Sequence, residues 1–94
     1  MSKRAFYLIS YDIPNNKHRL KIAHLLEGYG ERVQYSVFEV WITAKQLKTL
    51  RKQLEKHVED GGSVRFYRLC HECQALREVL GEGQPTDAPG LQII

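Results

Sequence analysis

The tightest constraint on this 94-residue chain is its first strand-like run, residues 4–13, Arg-Ala-Phe-Tyr-Leu-Ile-Ser-Tyr-Asp-Ile. Side chains alternate across a strand, so Phe6 and Leu8 share one face while Ala5, Tyr7, Ile9 and Tyr11 share the other. Both faces are apolar, and a strand of that kind is covered from both sides. Pro14 ends the run, because proline cannot donate to a ladder. Asp12 falls in phase with Phe6, Leu8 and Ser10, at a strand end where side chains are delivered onto loops. A chain this short forms one domain and buries only about two-thirds of its unfolded surface. Covering a strand on two sides therefore calls for help from a metal, disulfides or a partner subunit. Cys70 and Cys73, the only cysteines, close too small a loop to act as a disulfide framework.

The remaining elements follow from periodicity and caps. Asn15 and Asn16 suit a helix start, and Ile22, Leu25, Leu26 and Tyr29 recur at helical spacing. This predicts a helix ending at Gly30, with Lys17, Arg19, Lys21 and His24 on its polar side. Residues 31–42 read as β structure with a change of phase. Val33, Tyr35 and Val37 are apolar first; Phe38, Val40 and Ile42 take over, while Trp41 keeps the second face apolar. The flip predicts a bulge or a tight reversal near Tyr35-Ser36. Thr43 and Gln46 form a capping box. The stripe Leu47, Leu50, Leu54 and Val58 then predicts a helix up to Asp60-Gly61-Gly62. Its other faces carry Lys45, Lys48, Arg51, Lys52 and Lys56, which read first as solvated surface and second as a nucleic-acid contact. Residues 63–70 predict a further strand and 76–80 a short one. Residues 81–90, with Pro85 and Pro89, read as a linker. The apolar residues 91–94 suit a strand added to a sheet edge.

This order is βαββαβ, the ferredoxin-like α+β sandwich, with an additional C-terminal edge strand. Residues 1–80 are expected to form the domain, and 81–94 the linker and edge strand. Two helices cover one sheet face. The other apolar face lacks a helix, so a symmetric homodimer packed sheet to sheet is expected. Fourteen Lys+Arg against 11 Asp+Glu give a net charge of +3, which permits an anionic partner without requiring one. With 43% hydrophobic and 10% aromatic residues the chain is not a disordered one. The first apolar run is too short to span a membrane and no cleavage site follows it, so a soluble cytoplasmic protein is expected. Sparse cysteines agree with a reducing compartment.

Asp12 is the residue with the most chemical content. On a two-fold dimer face, two Asp12 carboxylates would lie close together and resist joint ionisation unless a cation sat between them. Oxygen-only ligation with water suits Mg²⁺ or Mn²⁺. From the residues alone, an aspartate that merely begins the turn into the helix stands ahead of a metal ligand. Arg19, Lys21 and Arg32 suit phosphate or a solvated helix surface equally well. Phe38 and Trp41 read as core or interface before base-stacking platforms. Cys70-His-Glu-Cys73 is a single C-x-x-C without the four ligands zinc requires in one chain, although a dimer could assemble four thiolates. A thioredoxin-like role is disfavoured, because the pair follows a strand instead of opening a helix. His18, His24 and His57 are expected on helix surfaces.

Tyr11-Asp12-Ile13, then Arg19, then Gly30-Glu-Arg32-Val-Gln34-Tyr-Ser36-Val37-Phe38-Glu39, then Val64-Arg65-Phe66-Tyr67 resemble the small CRISPR-associated Cas2 family. The resemblance runs from residue 4 to about 70 in order and spacing; the later Cys-x-x-Cys and Pro/Gly linker have no counterpart in it. It implies a ferredoxin-like homodimer holding Mg²⁺ or Mn²⁺ between paired Asp12 residues. It also implies metal-dependent endonuclease activity on single-stranded RNA or duplex DNA, and a place in the spacer-acquisition complex with the integrase Cas1. Tyr11, Asp12, Arg19, Arg32 and Phe38 match the positions the family uses around its site, with Asp12 the metal ligand. Lys21 stands where some members carry a second arginine. The alternatives are a non-catalytic DNA-clamping adaptor for the integrase and a toxin-like ribonuclease of similar fold.

Overall fold

The computed structural model describes residues 3–87. Strand β1 (Arg4–Asp12) leads into helix α1 (Asn16–Glu27), the strands β2 (Gly30–Gln34) and β3 (Val37–Thr43), helix α2 (Ala44–Glu55), strand β4 (Ser63–Leu69) and the short helix α3 (His71–Ala75). The sheet order is β2-β3-β1-β4, with every pairing antiparallel. This is the ferredoxin-like α+β arrangement expected from the element order.

Local chemistry sets the boundaries. Asn15 caps α1 by accepting from the His18 amide at 3.0 Å. The Thr43–Gln46 capping box closes reciprocally, at 3.1 and 3.0 Å. Helix α1 ends at Glu27, before the Gly30 expected to stop it. Gly30 instead opens β2, where a Cβ would run into the Glu39 carbonyl of the neighbouring strand. Both devices that the phase flip allowed are present. The chain reverses at Tyr35-Ser36, and the β2–β3 register shifts between Arg32 and Gln34. Val33 and Tyr35 are not on a buried face, since β2 is an edge strand and Tyr35 is 93% exposed in the turn. Helix α2 closes at Glu55, leaving Val58 in the following turn.

The helix-facing core joins Ile9, Tyr11 and Ile13 with Phe38, Val40 and Ile42 of β3, Ile22, Ala23 and Leu26 of α1, and Leu50 and Leu54 of α2. The opposite face is built differently. Phe6, 1% exposed, meets Trp41 edge-on with ring centroids 4.9 Å apart, and the Arg77 guanidinium lies 4.6 Å over its ring. The chain therefore covers part of its second face itself, with the segment after α3. Beside that cover Leu8 and Val37 are half-buried, Tyr67 and Val79 are exposed, and Leu80 is 97% exposed.

Two expectations for the C-terminal part are corrected. No strand forms over residues 76–80; the preceding residues make α3, and 76–80 carry no regular element. The Cys-x-x-Cys pair does open a helix, with Cys70 as the cap of α3. A capping cysteine has no sequence signature that separates it from a strand-end residue. Thr86, inside the linker-like stretch, is buried. The edge strand expected from residues 91–94 lies outside the described residues.

Candidate functional site

Asp12 is the last residue of β1, paired through the backbone with Ser63 of β4, and its side chain is exposed. Alternation puts it on the sheet face of Phe6 and Leu8, away from the helices. Tyr11 points the other way and is buried, its amide donating to the Ser36 carbonyl at 3.0 Å. Its ring lies 6.3 Å from that of Phe38, and Arg32 stacks on the same Phe38 ring at 5.5 Å. Burial pushes the Tyr11 phenol up, against the opposing pull of the Arg32 and Arg19 guanidinium groups. The phenol is therefore a neutral hydrogen-bonding group at physiological pH.

Arg19 sits one turn into α1 and folds back on the β1–α1 loop. Its guanidinium donates to the Ile13 carbonyl at 2.9 Å, the Pro14 carbonyl at 3.4 Å and Asn16 Oδ1 at 2.6 Å. A planar fork with five donors can tie three acceptors at once. The backbone leaving Asp12 is thus braced from within the chain. Tyr11, Arg19, Arg32 and Phe38 gather on the helix side of the strand end, and Asp12 stands alone on the other side. Lys21 is exposed on α1. Lys45, Lys48, Arg51, Lys52 and Lys56 are all exposed, forming a basic surface along α2 and its end.

A magnesium-type ion binds through one or two carboxylates and keeps several waters. Asp12 is a hard oxygen donor open to solvent, which fits half of such a set, and a second copy would supply the other half. Among the described residues no three histidine, cysteine or acidic side chains converge on a metal position. No helix among them is long and apolar enough to cross a membrane.

Two polar clusters escape any sequence reading. Arg77 donates to Glu39 Oε1 at 2.7 Å, to Thr86 Oγ1 at 3.2 Å and to the Thr86 carbonyl at 2.8 Å. The Thr86 hydroxyl donates to the same Glu39 oxygen at 2.7 Å. This network pins residues 77–86 on the second sheet face, with both charged side chains largely withdrawn from solvent. On the helix side, His18 Nδ1 lies 2.9 Å from His57 Nδ1, and His18 Nε2 lies 2.9 Å from Glu59. Helix-surface positions are expected of both histidines; instead they are half-buried and joined to each other, and His57 lies beyond the end of α2. Contacts 38 or 39 residues apart leave no periodic trace.

Comparison with known proteins adds the family. A family model for the CRISPR associated protein Cas2 matches residues 5–76. The CRISPR-associated endoribonuclease Cas2 1 of Chloroflexus aurantiacus is 48% identical over 84 residues, 87% of this chain and 90% of that protein. Among solved structures, Streptococcus pyogenes Cas2 superposes with a TM-score of 0.72 at 32% identity, covering 81% of this chain and 99% of its own. A chain of a partial Cas6-RT-Cas1–Cas2 complex gives 0.74 at 31% identity, covering 96% of this chain and 98% of its own.

Proposed function

Because this chain belongs to the CRISPR-associated Cas2 family, we propose that it works as a homodimeric, Mg²⁺- or Mn²⁺-dependent endonuclease on single-stranded RNA or duplex DNA. The observation that carries this reading is Asp12: an exposed carboxylate at the strand end, on the face whose apolar residues the chain only partly covers. Pairing two copies through Leu8, Val37, Tyr67 and Leu80 removes that surface from water and brings two carboxylates into one site. The ferredoxin-like unit is taken as residues 1–80, with 81–94 as a linker and C-terminal edge strand.

Each residue then has a role that its surroundings support. The two Asp12 carboxylates hold the ion, which when bound lowers the pKa of a water and offsets charge on the phosphoryl group. Arg19 is a positioning residue, since its donors are taken by loop carbonyls. Arg32 is exposed and held by the Phe38 ring on the helix side of the strand end, where it contacts a phosphate of the bound strand away from the one at the Asp12 ion. Tyr11 and Phe38 hold Arg32 in place from beneath.

The test is Asp12→Asn, with dimerisation verified by sedimentation. Cleavage of labelled RNA and duplex DNA in Mg²⁺ is expected to fall by at least the roughly 10–100-fold that loss of a ligand's supporting group costs. Unchanged cleavage by a dimeric variant overturns the assignment.

A second reading has its own support. The likeness to a chain of a Cas1-containing complex, together with the exposed basic surface of α2, favours a DNA-clamping adaptor for a Cas1 integrase acting in a cytoplasmic defence system. In that role Lys45, Lys48, Lys52 and Lys56 contact phosphates, and binding weakens steeply with salt. Charge reversal of these lysines is then expected to abolish spacer acquisition, with Asp12→Asn leaving it intact. Loss of acquisition in an Asp12→Asn protein that still assembles refutes an adaptor-only role.

A further inference from the structure

The Cys70-His-Glu-Cys73 motif takes no part in the site above, and its placement asks for an explanation. Both thiols are free and exposed, so neither residue is there to fill a core. Cys70 sits at the cap of α3 in an extended conformation, with its Sγ accepting the Cys73 amide at 3.4 Å. An oxygen side chain caps a helix better than sulfur, which is a weak acceptor. Capping therefore does not account for Cys70, and nothing local accounts for Cys73. What the two share is one helix turn: Cys70 caps α3, and the amide of Cys73, three residues on, donates to its Sγ at 3.4 Å.

We propose that Cys70 and Cys73 form a redox-active dithiol that exchanges with low-molecular-weight disulfides, with Cys70 attacking first and Cys73 closing the bridge. With the Cys73 amide already on Cys70 Sγ, the two side chains start from the same helix turn, and side-chain rotation is what closes the ~2 Å sulfur–sulfur bond. The two are not equivalent. The Cys73 amide donates to Cys70 Sγ and draws its thiol below the usual range. Cys73 is held above that range by donating to Cys70 and by repulsion from its charge. The thiolate is the attacking species, which assigns the first step to Cys70.

In that step the Cys70 thiolate forms a bond to one sulfur of the small disulfide RSSR, and RS⁻ leaves. Capping Cys70 removes its charge, so the repulsion that held the Cys73 proton ends. Cys73 then loses its proton to solvent, attacks the Cys70 sulfur, and expels the second RS⁻. The balance is one RSSR reduced to two thiols, and two protein thiols oxidised to one Cys70–Cys73 disulfide. The site lies at the root of the segment covering the second sheet face, since the Gln74 carbonyl of α3 accepts from Arg77 Nε at 2.9 Å.

The experiment treats reduced full-length protein with oxidised glutathione, followed by intact-mass measurement and alkylation mapping. The native chain is expected to lose two hydrogens in mass, with no lasting adduct and no interchain bridge. Cys73→Ser is expected to accumulate glutathione on Cys70. Cys70→Ser is expected to react at Cys73 at least about tenfold more slowly. Serine keeps a capping oxygen, and circular dichroism confirms that both variants are folded. Stable double adducts on the native chain, bridges formed only between chains, or equal reactivity of the two variants would each overturn the proposal.

Discussion

The two faces of the sheet are sealed by different means. The helix face is closed by Ile22, Leu26, Leu50 and Leu54 over Ile9, Phe38, Val40 and Ile42, all apolar and all but fully withdrawn from water. The second face relies on a strap fixed by charge: Arg77 lies on Phe6 and is tied to Glu39 and Thr86. An apolar seal follows from burial alone and tolerates detail, whereas a withdrawn ion pair is stable only with all partners in place. That difference also separates their roles. The helix face holds the fold, and the second face carries Asp12 and an apolar area left partly open.

The comparison can be broken most severely from the helix side. Phe38→Ala removes a fully buried ring from the centre of the core and should cost about 3–5 kcal/mol, read as lost stability in denaturant melts. It also removes the platform under Arg32. Loss of only a few tenths would mean that the core there is not closed.

A smaller effect is expected on the second face. Arg77→Met keeps a long apolar stem over Phe6 but leaves Glu39 without its cation, costing about 2 kcal/mol given some remaining solvent. Amide exchange should speed up across residues 77–87 before it does in β1 and β3. Uniform acceleration through the core strands would show that the two faces are one cooperative unit.

The smallest effect sharpens the contrast through pH. The helix side carries a histidine pair, His18 against His57. Burial first, and then the positive charges of His18, Lys21 and Lys56, lower the His57 pKa. The unfolded chain therefore binds the proton more readily than the folded one, so stability is full above about pH 6.5 and falls as pH drops below it. A native melting temperature lower at acidic than at neutral pH is expected, with a shallower slope in His57→Gln. An equal slope in that variant would remove His57 from the account.

Much of this molecule was legible in its residues. The Asn15 cap, the Thr43–Gln46 box and the reversal at Tyr35-Ser36 are decided within four residues, so local reading finds them. The resemblance around Tyr11-Asp12 and Val37-Phe38-Glu39 pointed to the family that the comparisons show. The end of α1 at Glu27 is not legible in the residues, because Gly30 reads as a helix stop. Its actual constraint is the closeness of the Glu39 backbone on another strand. The short strand at 76–80 failed for a related reason: its apolar letters fit a strand, but the sheet gives them no pairing edge there.

The sequence by itself determined the elements from β1 to β4 and the alternation that makes β1 apolar on both sides, because hydrophobic periodicity is a local property of the chain. It also placed Asp12 at the strand end. Only the tertiary structure decided what covers each side. Arg77 and Thr86 lie 38 and 47 residues from Glu39 along the chain, and His18 and His57 are 39 apart. Polar partners of that kind are chosen by distance and direction in the folded state, and neither is written in the order of residues.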